Sequence, residues 1–230
     1  MERDITFDEA VQVVRELATP EKICAFSDEQ KTEYIKRLEY FKLVNGGNYS
    51  DVEKGKSLED LVSYLLTISG DLFTVVQDVR THTNEIDQIV ELNPKGKFFL
   101  THGFLPKRFE CFLGECKNYN RKINVTYVGK FYSLLITTSE KTGILFSYHG
   151  ITGKNWSDGS GLIRKIYLQK EDEEKRVAII DFSLPDFQRI ADGDNLINLF
   201  DSKLKALKYD TNVDQFLKSH PAEGAFRDRR

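Results

Sequence analysis

The chain has 230 residues, 40% of them hydrophobic, and its 33 lysines and arginines against 36 aspartates and glutamates give a formal net charge of −3. This is enough apolar material for one substantial core with a small appended piece, and it excludes both a disordered chain and a protein that coats nucleic acid indiscriminately. No apolar run approaches the roughly 18–20 residues that span a bilayer, and the acidic start lacks the basic residues and apolar stretch of a signal peptide, so a cytoplasmic location is expected.

In chain order, Val11, Val14 and Leu17, then Tyr34, Ile35, Leu38 and Phe41, recur at three- and four-residue spacing and predict helices. They end at the break Asn45-Gly46-Gly47-Asn48, so residues 1–47 read as an N-terminal helical segment, either packed on the domain after it or used for assembly. Ser57, with Asp60 three residues on, reads as the N-cap of a helix whose stripe is Leu58, Leu61, Val62, Leu65 and Leu66, ending at Gly70. Gly55-Lys56-Ser57 resembles the end of a phosphate-binding P-loop, but Ser50 stands where its first glycine belongs and no strand precedes it, which leaves these residues as the start of the helix.

Strands are expected over Leu72–Val79, Asn84–Leu92 and Phe109–Lys117, with Asn93–Lys107 an extended connection or irregular hairpin because of Pro94, Gly96, Gly103 and Pro106. A helix through Val125, Val128, Phe131, Tyr132 and Leu135 is next, then a strand over Gly143–Ser147, a helix over Leu162–Gln169 and a strand over Val177–Phe182. Helices over Asp186–Ile190 and Leu196–Leu207 complete residues 48–210 as an α/β domain with a mixed central sheet, and 211–230 form a polar tail.

Cys24, Cys111 and Cys116 make neither a C-x-x-C pair nor an even number, so all three read as buried, reduced thiols, the last two on opposite faces of one strand. His82 and His102 stand in polar segments without partners at ligand spacing, and Trp156, among glycines, reads as a packing aromatic that could alternatively stack on a base. Charge is unevenly distributed: residues 1–40 are acidic, whereas from Lys95 to Phe131 eight lysines and arginines face only Glu110 and Glu115. Such a stretch can hold phosphates or be a plain solvated surface.

The tripeptide Glu-x-Lys occurs three times, at Glu29-Gln30-Lys31, Glu115-Cys116-Lys117 and Glu173-Glu174-Lys175, and only the second ends an apolar, strand-like run. Alternation puts Glu115 and Lys117 on one face, and on the preceding strand it groups Asp87 with Glu85, Ile89 and Glu91. Hydrolysis of a phosphodiester needs an activated water and neutralisation of charge on the phosphoryl oxygens. A Mg²⁺ held by two or three carboxylates supplies both, and Asp87 and Glu115 are the candidate ligands. An isolated Glu-x-Lys at a strand end is more commonly two solvent-facing residues; the upstream Asp87 and the helix bearing Glu59 set this one apart.

Gly55-x-x-x-Glu59 on a helix, Glu85-Ile86-Asp87 on a strand, then Glu115-Cys116-Lys117 and a subsequent helix resemble the PD-(D/E)xK nuclease superfamily, the restriction-endonuclease-like fold. The order is most similar to its Mrr-like restriction endonucleases and archaeal-type Holliday junction resolvases. The resemblance implies an endonuclease that hydrolyses DNA rather than RNA with a metal-activated water. Its cofactor would be Mg²⁺, with Mn²⁺ as a substitute, and its role restriction, defence or DNA repair. By it, Asp87, Glu115 and the backbone carbonyl of Cys116 would hold the metal, Glu59 would hold it through water, and Lys117 would be the catalytic lysine. Glu85 would assist the metal or form a salt bridge, and Tyr119, Arg121 and Lys122 would touch nucleic acid. A homodimer, with the N-terminal helices as interface, or a targeting protein partner would be in keeping. No proline precedes Asp87, and the connection from Asp87 to Glu115 is long, which reads as an insertion near the substrate. Two other readings stand beside this one: a catalytically inactive nucleic-acid-binding module of the same fold, and an interaction protein whose Glu-x-Lys is accidental.

Overall fold

A computed structural model describes residues 6–17, 19–80, 85–153 and 158–217. Among them, no helix is long and apolar enough to cross a membrane. Three helices come first: α1 (Phe7–Leu17), α2 (Pro20–Ile23) and α3 (Asp28–Gly46). On α1, Val13 and Val14 are exposed. By contrast, α3 starts at a reciprocal Ser27/Gln30 capping box and buries Tyr34, Leu38, Phe41 and Val44. The Tyr34 hydroxyl donates to the Phe187 carbonyl at 3.0 Å, so this helix packs on the main core rather than standing apart. Truncating a ring such as Phe41, fully buried here, costs about 3–5 kcal/mol.

The next helix, α4 (Asp51–Ile68), begins earlier than the apolar stripe indicates, at a capping box between Ser50 and Glu53. Ser57 is therefore no N-cap; it is a buried residue inside the helix whose hydroxyl donates to the Lys54 carbonyl at 2.8 Å. Gly55-Lys56-Ser57 likewise lie within α4 rather than at its start.

Five strands form one sheet in the order β1 (Phe73–Arg80), β2 (Glu85–Leu92), β3 (Cys111–Cys116), β4 (Thr142–Phe146) and β5 (Ala178–Phe182). The first two pairings are antiparallel and the last two parallel. Parallel neighbours need crossovers, which run through α6 (Val125–Thr137) and α7 (Gly159–Leu168). With α8 (Leu184–Ala191) and α9 (Leu196–Lys208), these helices make the chain an α/β protein with a mixed sheet flanked by helices. β4 is buried at all five positions, as a central parallel strand covered on both faces must be. On β2, Ile86, Gln88, Val90 and Leu92 are buried and the alternate residues are not, the pattern of a strand with one face on the core.

Two expectations are corrected around β3. The segment after Asn93 is not an extended connection; it carries α5 (Pro94–Thr101), with the Asn93 side chain accepting from the Gly96 amide and proline in the first turn. This helix comes after Leu92, five residues along β2 from Asp87, or roughly 17 Å at strand rise. The added length between the two motifs therefore sits at the far end of the strand, not beside the suspected substrate position. Phe109 belongs to a short 3₁₀ turn, and β3 proper ends at Cys116. Lys117 nonetheless extends the ladder, its amide donating to the Phe146 carbonyl at 2.8 Å. Cys24 and Cys116 are buried free thiols, whereas Cys111 is only half-buried.

Candidate active site

The β2–β3 ladder stops at the Gln88–Gly114 pair, and the chemistry gathers one step beyond it. Gly114 makes this pair a close one: a Cβ there would stand 2.8 Å from Gln88 Oε1 and 3.2 Å from Gln88 Cβ. Past this point the Asp87 carboxylate takes the place of a ladder partner: its Oδ2 accepts the Cys116 amide at 2.8 Å and lies 3.3 Å from Lys117 Nζ. The same ammonium is 2.7 Å from Glu115 Oε1. Alternation along β3 thus brings Glu115 and Lys117 together as the sequence indicates, and antiparallel pairing supplies Asp87 from the neighbouring strand. The three side chains are 16%, 25% and 21% exposed, respectively, so their charges are sheltered but reachable.

One ammonium shared between two carboxylates leaves a net negative charge. Burial opposes the Lys117 charge, but Glu115 and Asp87 outweigh it and the amine pKa is raised. Burial, reinforced by the Asp87 charge, pushes the Glu115 carboxyl up despite Lys117. The directions agree physically: Lys117 gains from two anions, while each anion has only a share of one cation. Glu115 Oε2 is buried with no hydrogen-bond partner, an unsatisfied acceptor of the kind that is costly unless something fills it.

Glu59 reaches the same place from α4. It lines a concavity of about 650 Å³ together with Gly55 and Lys56 of its own helix, Asp78 of β1 and Asp87. Its carboxyl pKa is raised by burial, then by Asp87 and Asp78. Asp78 was not singled out by its sequence. It stands between the paired positions Gln77–Gln88 and Val79–Ile86, level with Asp87 across the ladder, and adopts a left-handed φ of 53°. Register arithmetic over the β1–β2 hairpin is the signal that would have found it.

A second contribution that sequence reasoning missed fixes the loop after Lys117. Asn118 donates its side-chain amide to the Lys54 carbonyl at 2.6 Å, and the buried Lys54 returns its ammonium to Asn120 Oδ1 at 2.8 Å. The helix bearing Glu59 and the loop leaving Lys117 are therefore tied to one another. Beyond this clamp, Tyr119 packs its ring 5.0 Å from that of Tyr127. Its phenol pKa is pushed up to about 12, by burial first and then by its hydrogen bond to Tyr127. Arg121 and Lys122 are exposed on the same loop.

The remaining candidates stand apart. Glu85 makes an exposed salt bridge to Arg80 at 3.4 Å. His102 caps α5, with its Nδ1 2.8 Å from the Phe98 carbonyl. His82 and Trp156 lie outside the described residues. The other two Glu-x-Lys tripeptides fall at the exposed start of α3 and in an exposed 3₁₀ turn, where Glu173 pairs with Lys208 at 2.8 Å.

Among the described residues, no group of three or more His, Cys, Asp or Glu side chains is arranged to enclose a metal ion on its own. The donor set is narrower: two sheltered carboxylates, one oxygen of which is buried without a hydrogen-bond partner. Comparisons with protein-family models, curated proteins and solved structures found no match.

Proposed function

We propose that this protein is a metal-dependent endonuclease of the PD-(D/E)xK kind, acting on DNA, with Asp87, Glu115 and Lys117 as its site. The observation that carries the reading is the cluster itself: two sheltered carboxylates from adjacent strands share one lysine, and a buried oxygen of Glu115 has no partner. The motif residues also fall on the elements the resemblance requires, with Glu59 on a helix, Asp87 on a strand, Glu115-x-Lys117 on the next, and α6 after it.

Asp87 and Glu115 would hold a Mg²⁺, which supplies Lewis-acid polarisation of a phosphoryl oxygen and lowers the pKa of water. The unpartnered Glu115 oxygen and the excess negative charge fit such an ion. Lys117, whose pKa the two carboxylates raise, is placed to donate hydrogen bonds to the attacking water or to the phosphoryl oxygens as charge grows on them. Asp87 holds two groups in place at once, the Cys116 amide and the Lys117 ammonium, so it fixes the direction from which that amine acts. Glu59 and Asp78 add negative potential at the mouth of the concavity, which favours cations there, and the basic loop carrying Arg121 and Lys122 offers charge to phosphates outside it.

The test is incubation of the purified chain with supercoiled, linear and single-stranded DNA and with RNA, under Mg²⁺, Mn²⁺ or EDTA, beside Asp87→Ala and Lys117→Ala. Metal-dependent cutting of DNA lost in both variants is expected. Cutting that survives Lys117→Ala undiminished contradicts the site; binding without cutting, indifferent to metal, would leave the inactive binding module in its place.

A further inference from the structure

Gly55 sits inside α4, the position where glycine is least suited to a helix. Packing does not require it there: a Cβ built at this residue meets nothing within 4 Å. It lines the concavity in front of Asp87, between Val52, which is 79% exposed, and Glu59 on the same helical face. A glycine that a helix tolerates at a cost, in open space facing a cleft, is what close approach of another backbone calls for. Its neighbour gives that approach a sign. Lys56 lines the same concavity, is exposed, and makes no ion pair with any described residue although Asp51, Glu59, Asp60, Asp78 and Asp87 line it too.

We propose that the Gly55–Lys56 step of α4 seats one phosphodiester strand of the substrate. Gly55 lets the sugar–phosphate backbone lie against the helix, and Lys56 takes a phosphate neighbouring the one that faces Asp87. This rests on the nuclease reading of the Asp87 cluster and adds to it where the strand runs. The contact differs from that of a P-loop: these residues are inside a helix, where amides are used in the helical ladder, so the seat works through clearance and one side-chain charge. A free anion has little reason to enter a cleft with this many carboxylates, whereas a polymer held also by the loop of Arg121 and Lys122 does.

The seat is tested by fluorescence anisotropy of a labelled DNA duplex with Mg²⁺, in the Lys117→Ala background so that the DNA stays intact, alongside thermal melts. Gly55→Ala is expected to raise Tm by about 2–4 °C, as removal of a helix-interior glycine does, while weakening binding at least about ten-fold. Lys56→Gln should weaken binding and reduce the slope of log affinity against log salt by about one. Gly129, inside α6, also meets nothing within 4 Å but does not line the concavity, so Gly129→Ala should raise Tm and leave affinity unchanged. Unaltered affinity in Gly55→Ala, a lower Tm in that variant, an equal loss in Gly129→Ala, or no DNA binding by the parent protein would each overturn the seat. Binding that depends on Gly55 in a chain that never cuts supports the seat and removes the nuclease reading. Cutting by the unmodified chain with normal binding by Gly55→Ala does the reverse.

Discussion

Two sheltered lysine–carboxylate clusters flank the same sheet, and they are built differently. In one, Lys203 of α9 lies 3.0 Å from Asp186 Oδ1, with side chains 13% and 10% exposed. The other Asp186 oxygen accepts from the Ser183 amide at 2.8 Å and from its hydroxyl at 3.3 Å. Both Asp186 oxygens have partners, and Asp181 is close enough to add its negative charge. In the other cluster a single Lys117 serves both Glu115 and Asp87, and an oxygen of Glu115 is left over. The first arrangement holds α8 against α9 with both carboxylate oxygens partnered; the second leaves a carboxylate oxygen without a partner. Burial raises the carboxyl pKa in both, and a second carboxylate adds to it in both; at Asp186 the opposing Lys203 charge outweighs that of Asp181, whereas at Glu115 the Asp87 charge outweighs that of Lys117.

The comparison is broken most forcefully by removing one partner of the first pair. Asp186→Ala deletes the sheltered ion pair to Lys203 and the Ser183 cap together, so urea denaturation should show a loss of about 3–5 kcal/mol. Lys117→Met should instead appear in function, with the cleavage rate falling by about 10²–10³, the usual effect of deleting a preorganised charge donor. Glu115→Gln sharpens the contrast. It removes the surplus charge and is expected to keep or raise stability, by up to about 1 kcal/mol, while abolishing metal-dependent cutting.

The pH dependence arises from the same surplus. Because the folded Glu115 carboxyl titrates above its ordinary value, its contribution to stability is full below the unfolded pKa of about 4.3 and is lost as pH rises through the folded value. Relative to Glu115→Gln, the wild-type Tm should therefore decline from about pH 4 toward neutrality in EDTA, and Mg²⁺ should flatten that decline. Carboxyl NMR should show Mg²⁺ lowering the Glu115 pKa and leaving Asp186 where it was. The smallest effects belong to the exposed loop: Arg121→Ala and Lys122→Ala should each reduce the salt slope of DNA binding by about one and change stability by no more than about 0.5 kcal/mol.

What could be read in the sequence was whatever depends on short periods. The two-residue alternation along Glu85–Leu92 matches the buried face of β2, and the same rule put Glu115 and Lys117 side by side. Helix starts were harder, because Ser50-x-x-Glu53 and Ser57-x-x-Asp60 are competing caps and the apolar stripe begins only at Leu58. The first turns of α4 are largely exposed and leave no hydrophobic trace. Pro94 and Gly96 look like breakers, yet proline suits a first helical turn after an Asn cap, and a Cβ on Gly96 would lie 2.5 Å from the Leu72 carbonyl, a contact made across the fold. Asp78 is reached only through the register of the β1–β2 hairpin, and the Lys54–Asn118 clamp depends on distant segments meeting, which no local pattern encodes.

Whether the surplus charge between β2 and β3 is a cation site can be read directly from a thermal melt with and without Mg²⁺. Saturating metal should raise the wild-type Tm, about 2.7 kcal/mol of stabilisation at a hundred times the dissociation constant, and should leave Asp87→Asn and Glu115→Gln unmoved. No rise in the wild type, or an equal rise in Asp87→Asn, would contradict the site.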